Sequence, residues 1–221
     1  MKNDKVLKYY QNIKKKPLQL VIKRFFDIVF SLVLCIFLTP LAILISIFIK
    51  IDSPGPVFFK QKRVARYGKI FMILKFRTMV ENAENKGPLI TVNEDKRITR
   101  VGKIIRRFRF DELPQIFNVL IGDMSFVGTR PEIQKYVLSY TDEMKATLLM
   151  PPGVTSFASI KFENEEFLIK KSEDVDFIYL NEILPQKMKY NLLYLKNFNF
   201  WFDVKLELKT IFLVLKTIFN K

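Results

Sequence analysis

The chain contains no histidine and only one cysteine among its 221 residues. Without histidine, the side chain most often used as a general base and as a zinc ligand is missing. A single cysteine, Cys35, excludes a disulfide framework and a metal site built from several thiolates, and it is consistent with a reducing compartment. Any acid, base or nucleophile must therefore come from carboxylates, lysine, tyrosine, serine or threonine.

Acidic residues are also scarce, since 22 Asp and Glu stand against 37 Lys and Arg, which gives a formal charge of +15. Such a charge suits nucleic acid, an anionic membrane surface or phosphorylated substrates, and charge alone does not separate these partners. The 22 phenylalanines are more typical of apolar burial and lipid contact than of base recognition. We therefore expect membrane lipids as partners, and no nucleic acid.

One long hydrophobic run is present, over residues 25–49, and Asp27 is its only charged residue. The preceding residues 1–24 are polar and basic. At 1.5 Å per residue, a helix over this run is long enough to cross a hydrocarbon core of about 30 Å. The sequence therefore predicts a membrane helix over residues 25–49.

The pair Thr39-Pro40 lies inside this run and bears on its topology. Proline removes one backbone donor and clashes with the carbonyl of Ile36, so the run divides into pieces of about 15 and about 10 residues, neither long enough to span the core. Basic residues follow the run as well as precede it, so the positive-inside rule gives no preferred direction. A re-entrant helix that enters and leaves on the cytoplasmic side satisfies both facts, with the Thr39 hydroxyl bonding a freed carbonyl. A kinked helix that crosses the membrane fully is the alternative.

Two short strands are predicted next, at residues 57–64 and 70–77, joined through a turn that contains Gly68. The polar residues 81–96 predict a loop. These elements, added to the apolar run, indicate a mostly helical α+β protein with one small β-hairpin.

Apolar residues at helical spacing predict one helix that ends near Phe110 and a second that stops before Gly122. Near the C-terminus, a largely apolar helix carries lysines and Trp201. This pattern fits an amphipathic helix at a membrane interface. It fits equally an ordinary terminal helix packed on the core.

The stretch RRFRFDELPQ sets Asp111 beside Glu112 in this basic chain. One interpretation is a helix N-terminus, where the dipole favours acidic residues and Pro114 is tolerated. The other is chemical, because two carboxylates at a helix start can both reach one phosphate and its metal ion. One of them attacks phosphorus to form an acyl phosphate, and the other holds the cation or moves a proton.

Such a site needs cations to offset the phosphate charge, supplied by basic side chains or Mg²⁺. Arg106 lies just upstream of the acidic pair, and Arg130 follows in GTRPE. Lys75 and Arg77, in KFRTM, are further candidates, although both could be outward-facing positions of an edge strand.

Several motifs, in this order, resemble the bacterial sugar transferase family, the monotopic phosphoglycosyl transferases. The motifs are KRFFD, the broken apolar run, SPGPVFFKQ, KFRTM, FDELPQIFNVLIGDMSFVGTRPE, PPGVTS and WFDVKLELKTI. The resemblance covers nearly the whole chain after about residue 20, and its DELPQ and GDMS blocks are highly specific.

The resemblance implies transfer of a sugar phosphate from a UDP-sugar to undecaprenyl phosphate, with release of UMP and a requirement for Mg²⁺. It places the family's acidic dyad on Asp111, as nucleophile, and Glu112, which is then expected to hold the metal. Lys75, Arg106 and Arg130 fall on positions associated with phosphate binding or function. A re-entrant helix broken at a Ser-Pro or Thr-Pro pair is also implied.

Two positions depart from the family pattern. Thr129 stands where proline is typical in GPRP, and we expect it to loosen the loop that holds Arg130. Many members also carry an arginine in a QVNGR-like stretch, where this chain has Glu163. Lys161 is the nearby cation that could replace it as a substrate-binding residue. The identity of the sugar therefore does not carry over.

These observations predict a catalytic domain with interfacial helices over residues 50–221, attached to the cytoplasmic face of a bacterial inner membrane. Its predicted activity starts a surface glycan on a polyprenol carrier. The alternative is a non-enzymatic membrane adaptor that binds anionic lipid or a partner through its charge. An adaptor has no need for the acidic pair with its arginines. The sequence leaves the oligomeric state open, a homodimer included.

Overall fold

A computed structural model describes residues 3–83, 95–162, 168–169 and 174–219. Most of the loop predicted at 81–96 lies outside the described residues, and so does Glu163. The described part is mostly helical and contains two small two-stranded sheets. The mostly helical α+β class is therefore confirmed.

The first two helices are α1, Asp4–Lys14, and α2, Pro17–Asp52. Proline at the first position of α2 costs no hydrogen bond, because the N–H at that position has no partner within a helix. The long helix therefore begins inside the predicted basic segment and extends past residue 49. It is the one helix in the described ranges that is long and apolar enough to cross a membrane.

The helix α2 continues through Pro40, where the sequence predicts a break. The Thr39 hydroxyl donates a hydrogen bond of 2.5 Å to the carbonyl of Cys35, not to the Ile36 carbonyl that the proline leaves without its usual donor. A long helix tolerates the loss of one backbone bond, and a threonine bonded to the preceding turn bends a helix without ending it. The expected interruption of the secondary structure is therefore absent.

The N-terminal half of α2 is anchored by buried charges. Lys23 donates to the Asp203 carboxylate at 2.6 Å and to the Val127 carbonyl at 2.8 Å. One turn later, Asp27 accepts a bond of 3.1 Å from the Ser125 hydroxyl. Because a buried charge is costly unless it is paired, these contacts fix the helix against the domain.

The C-terminal end of α2 is anchored separately. Ile45 and Ile49 pack in an apolar cluster that includes Phe76 and Ile105. Between these two anchored ends, side chains such as that of Phe37, 75 % exposed, point away from the protein. The middle of the helix thus has an apolar surface that the protein does not cover.

The predicted hairpin is confirmed as β1, Phe58–Val64, and β2, Ile70–Phe76. The strands are antiparallel, and the register pairs Phe58 with Phe76. Gly68 adopts a positive φ of 80° in the connecting turn, a conformation that favours glycine.

The two helices predicted around the acidic pair are also confirmed, as α3, Arg100–Arg107, and α4, Gln115–Ile121. After α4, a short strand β3, Ser125–Val127, pairs in parallel with β4, Gly153–Thr155. The backbone at Gly153 lies so close to the backbone at Gly128 that a Cβ atom on Gly153 would lie 2.1 Å from the Gly128 nitrogen.

Short helical elements complete the fold. They are α5, Gln134–Val137; a 3₁₀ segment, Met144–Leu149; α6, Phe157–Lys161; α7, Val175–Ile178; a π-helical turn, Tyr179–Ile183; α8, Leu184–Lys196; and α9, Phe200–Phe219. In α9, Asp203 and Leu206 are buried, whereas Trp201 and Phe212 are exposed. The terminal helix therefore has one packed face and an exposed apolar surface.

Candidate active site

The acidic pair lies in a tight turn between α3 and α4. After α3, Arg109 adopts a left-handed conformation, with φ 59°, and a 3₁₀ turn follows over Phe110–Glu112. Pro114 is the residue directly before α4. The pair is thus not in the first turn of the α-helix. A non-glycine residue in the left-handed region costs about 1–2 kcal/mol, and such strain clusters at functional sites.

Glu112 is held by two basic side chains from different elements. The ammonium of Lys75, on β2, lies 3.2 Å from Oε1 of Glu112. The guanidinium of Arg130, in the segment after β3, donates a short hydrogen bond to the same oxygen. Burial alone would raise the pKa of Glu112, but Arg130 and Lys75 outweigh it and hold that pKa well below its usual range. Glu112 is therefore an anion whose charge is already compensated.

Asp111, its neighbour, has a different environment. Burial raises the pKa of this carboxyl, and the negative charge of Glu112 raises it further, against the opposing charges of Lys75, Arg106 and Arg130. Within the described ranges, no group is hydrogen-bonded to its carboxylate. A carboxylate with a raised pKa and no hydrogen bond from the described residues is suited to attack an electrophile.

Arg106 reaches the site from the end of α3. Its Nε donates a bond of 2.9 Å to the hydroxyl of Thr78, which follows β2. Burial lowers the pKa of Arg106, and the nearby charge of Asp111 opposes that shift. The structure thus brings Lys75, Arg106 and Arg130 together around the acidic pair, as the sequence predicts.

Lys161 is the predicted site residue that the structure does not bring into this group. It is exposed at the end of α6, and no contact with the acidic pair is present in the described residues. Thr129, by contrast, is buried beside Arg130, and its carbonyl accepts a bond of 2.9 Å from the Gly153 nitrogen. The loop that carries Arg130 is thus tied to β4 at the position where the usual proline is missing.

Arg77 is not an outward-facing strand residue, which corrects one of the sequence interpretations. Its side chain is buried and donates bonds of 2.7 Å to the carbonyls of Ser53 and Pro54, just after α2. Arg77 therefore ties the end of the long helix to the strand that carries Lys75.

Arg63 and Glu132 were not predicted from the sequence. Arg63, on β1, donates to the Pro131 carbonyl at 3.2 Å, directly after Arg130. The alternation of β1 places Gln61 and Arg63 on its covered face, which is the signal that could have found them. Glu132 is buried in the same segment and has no local signal of this kind.

The acidic pair is compatible with a Mg²⁺ ion that is held jointly by the protein and by substrate phosphates. The described residues contain no cluster of three or more acidic, cysteine or histidine side chains that could hold a metal by themselves. Mg²⁺ bound with nucleotides is commonly held by one or two carboxylates and by substrate phosphates. Among the described residues, the one hydrogen bond to Oε2 of Glu112 is long, at 3.4 Å from Arg130, so this oxygen retains capacity to accept a ligand bond. The pair fits this shared mode.

Comparison with known proteins gives a consistent result. A family model described as bacterial sugar transferase matches residues 18–217. A UDP-N-acetylgalactosamine-undecaprenyl-phosphate N-acetylgalactosaminephosphotransferase of Aeromonas hydrophila is 37% identical over 198 residues, which cover 88% of this chain and 44% of that protein.

Two further relatives carry names with other sugars. A UDP-glucose:undecaprenyl-phosphate glucose-1-phosphate transferase of Klebsiella pneumoniae is 33% identical over 88% of this chain and 40% of its own length. An undecaprenyl-phosphate galactose phosphotransferase of Salmonella typhimurium is 33% identical over 96% of this chain and 44% of its own length. The chain thus spans less than half the length of these relatives.

Proposed function

Because the chain belongs to the bacterial sugar transferase family, we propose that it transfers a sugar 1-phosphate from a UDP-sugar to undecaprenyl phosphate and releases UMP. This reaction starts the assembly of a surface glycan on its lipid carrier. The observation that carries the proposal is the unequal environment of the acidic pair. Glu112 is neutralised by Lys75 and Arg130, whereas burial makes Asp111 more basic. A binding adaptor has no use for this difference.

The difference supports a two-step transfer. A carboxylate oxygen of Asp111 attacks the phosphorus that bears the sugar, and the bond from that phosphorus to the bridging oxygen breaks. UMP leaves with that oxygen and its electron pair, so an aspartyl phosphosugar remains. An oxygen of undecaprenyl phosphate then attacks the same phosphorus, and the carboxylate of Asp111 leaves with the electrons of the acyl phosphate bond. Each step exchanges one phosphorus–oxygen bond for another.

The basic residues have distinct tasks in this scheme. Arg106 and Arg130 are suited to bind phosphate oxygens, since a guanidinium matches them with two parallel hydrogen bonds. Lys75 acts chiefly on Glu112, which it holds in the charged form. Lys161, exposed at the end of α6, makes no contact with the acidic pair in the described part of the protein, so its substrate-binding role stays a prediction from the sequence.

We assign Mg²⁺ to the acidic pair and the diphosphate together, with Oε2 of Glu112 as a protein ligand. When bound, the ion offsets the charge of the diphosphate as a carboxylate approaches. Arg130 and Lys75 both contact Oε1 of Glu112, so they hold this carboxylate in one orientation.

We further propose that α2 is re-entrant and that the domain lies on the cytoplasmic face of the inner membrane. The contacts of α2 with the short helix α4 and its flank support a sharp bend. Arg24 donates to the carbonyls of Val119 and Leu120, whereas Ile49 packs in the cluster that includes Leu113. On a straight helix, Arg24 and Ile49 would be about 37 Å apart, yet α4 is only about 10 Å long.

The exposed apolar residues of α9 support an interfacial position for that helix. Trp201 is 76 % exposed, and Leu208 and Phe212 are exposed on the same helix. Tryptophan is enriched at membrane interfaces, where its ring meets both lipid and water.

The direct test is UMP release by the detergent-solubilised chain. UDP-N-acetylgalactosamine, UDP-glucose and UDP-galactose are supplied in separate reactions, each with undecaprenyl phosphate and Mg²⁺. We expect UMP and a lipid-linked diphosphosugar with at least one donor. If no donor in a full UDP-sugar panel gives UMP, the adaptor alternative is favoured.

A further inference from the structure

A cluster of buried polar side chains lies behind Arg130. Glu132 is 7 %, Tyr179 3 % and Lys187 5 % exposed. The hydroxyl of Tyr179 donates a bond of 2.5 Å to Oε1 of Glu132. Lys187 Nζ lies 3.4 Å from that hydroxyl and 3.9 Å from the same carboxylate oxygen. The three groups therefore form one continuous polar network.

This network joins parts of the chain that are far apart in sequence. Glu132 follows β3, whereas Tyr179 begins the π-helical turn and Lys187 lies on α8. A π-helical turn is rare and is frequently found at functional sites. Because a buried carboxylate and ammonium are costly to desolvate, packing alone does not explain their presence.

The network fixes the segment that carries Arg130. The carbonyl of Glu132 accepts a bond of 2.9 Å from the Val64 nitrogen, and the carbonyl of Pro131 accepts one from Arg63. The β1 strand thus holds the backbone of this segment, and Tyr179 holds the side chain of Glu132. Arg130 is two residues away from Glu132, and its guanidinium contacts Glu112.

We propose that Tyr179 and Lys187 are positioning residues for the transfer reaction. They hold Glu132, and through it they aim the guanidinium of Arg130 at Glu112 and at the donor phosphates. The inference rests on the proposed function. It adds a device, built from the C-terminal helices, that sets the geometry of the acidic pair. Misplacement of a catalytic group by about 1 Å lowers a rate by about 100-fold, so such a device acts mainly on kcat.

The test compares two matched tyrosine variants of the full chain. Tyr179→Phe keeps the ring that packs 4.5 Å from the ring of Tyr136 but removes the hydroxyl bonded to Glu132. Tyr140→Phe is the control. Tyr140 is buried in the same apolar cluster as the ring of Tyr179, yet its hydroxyl makes no hydrogen bond within the described ranges. We expect Tyr179→Phe to lower kcat by about 10-fold to 100-fold, with a smaller change in the KM for the donor. Tyr140→Phe should stay within about 2-fold of the wild type.

The charge of Lys187 is tested by a second pair of variants. Lys187→Arg keeps a cation beside Glu132, whereas Lys187→Met keeps the length of the side chain and removes the charge. We expect Lys187→Arg to retain at least about 10-fold more of the wild-type kcat than Lys187→Met, since Arg63 is then the remaining cation near Glu132 and loss of one partner destabilises a buried carboxylate. Equal kcat values for Lys187→Arg and Lys187→Met would overturn the role of the charge.

Hydrogen–deuterium exchange gives a readout that does not need activity. We expect residues 125–133 to exchange about 10-fold faster in Tyr179→Phe than in Tyr140→Phe, because only the first variant releases Glu132. Equal exchange in the two variants, or an unchanged kcat in Tyr179→Phe, would overturn the proposal. If the wild type releases no UMP with any donor but the exchange difference is present, the proposed function fails and the anchoring of this segment stands.

Discussion

Arg77 donates a hydrogen bond of 2.7 Å to the carbonyl of Ser53, the residue that follows α2. Two residues earlier, on β2, Lys75 contacts Glu112. The strand and the residue that follows it therefore link the end of the apolar helix to the acidic pair. The turn that follows α2 leaves little room around this link, because a Cβ atom on Gly55 would lie 2.1 Å from a terminal nitrogen of Arg77.

We expect Gly55→Ala to destabilise the protein by about 2 kcal/mol or more. Gly55 has a φ of 114°, so alanine adds backbone strain to the clash with Arg77. Gly68→Ala is the matched control, since Gly68 also has a positive φ but a Cβ there meets no atom within 4 Å in the described part of the chain. It should cost about 1 kcal/mol. Thermal unfolding followed by Trp201 fluorescence measures the difference, and equal losses in the two variants would contradict the role assigned to the clash.

The roles within the acidic pair are separated by intact-protein mass spectrometry after incubation with a UDP-sugar and no acceptor. The wild type should gain the mass of a sugar phosphate, whereas Asp111→Asn should gain none, because it keeps the shape of the side chain but loses the nucleophile. Glu112→Gln should turn over at least about 100-fold more slowly yet still form some adduct. Asp142→Asn, an exposed carboxyl bonded to Lys145, is the control and should behave as the wild type. An unchanged adduct on Asp111→Asn would move the nucleophile elsewhere.

Removal of divalent metal should stop the first step. We expect EDTA to abolish UMP release and added Mg²⁺ to restore it, because the diphosphate and the attacking carboxylate carry like charges. Full activity in the presence of chelator would refute the proposed role of Glu112 as a metal ligand.

The path of α2 is accessible to cysteine labelling. In a Cys35→Ser background, Tyr10→Cys precedes the helix and Lys62→Cys follows it, and both positions are exposed. If α2 is re-entrant, an impermeant thiol reagent should label neither cysteine in intact cells and both after lysis. Labelling of one site from outside would show instead that α2 crosses the membrane.

Glu207 on α9 should make stability depend on pH. Burial raises its pKa to about 7, above the usual value of a glutamate. Between the unfolded and folded pKa values the native state binds the proton and the unfolded state does not, so stability falls as pH rises through this range. Glu207→Gln should therefore be more stable than the wild type at pH 8, on the order of 1 kcal/mol after allowance for partial exposure, with a smaller difference at pH 5. Glu182→Gln, at an exposed position, is the control and should change stability by less than about 0.5 kcal/mol.

Local patterns in the sequence were sufficient to predict the hairpin and the two helices around the acidic pair. The alternation of β1 and the glycine turn mark the hairpin, and helical spacing marks α3 and α4. The family resemblance, which rests on the order of the motifs, assigned Lys75, Arg106 and Arg130 to one site. Proline did not end α2, because a long helix can accommodate a proline by bending while its hydrogen bonds continue on either side.

The network behind Arg130 could not be predicted in this way. Tyr179 and Glu132 are 47 residues apart, and neither lies in a local pattern that indicates burial. The same holds for Arg77, whose bonds to Ser53 and Pro54 depend on the course of a separate element. Such contacts arise from the tertiary structure, which propensity and periodicity do not encode.

The buried ion pair of Lys23 with Asp203 has a consequence for biosynthesis. The N-terminal part of α2 leaves the ribosome long before α9 has been made, so Lys23 emerges without its carboxylate partner. Its ammonium must stay hydrated, or bound by another group, until α9 is complete. The final docking of α2 is therefore delayed until Asp203 has been made, and a chain released before Asp203 leaves an uncompensated charge at a site that the folded protein closes to water.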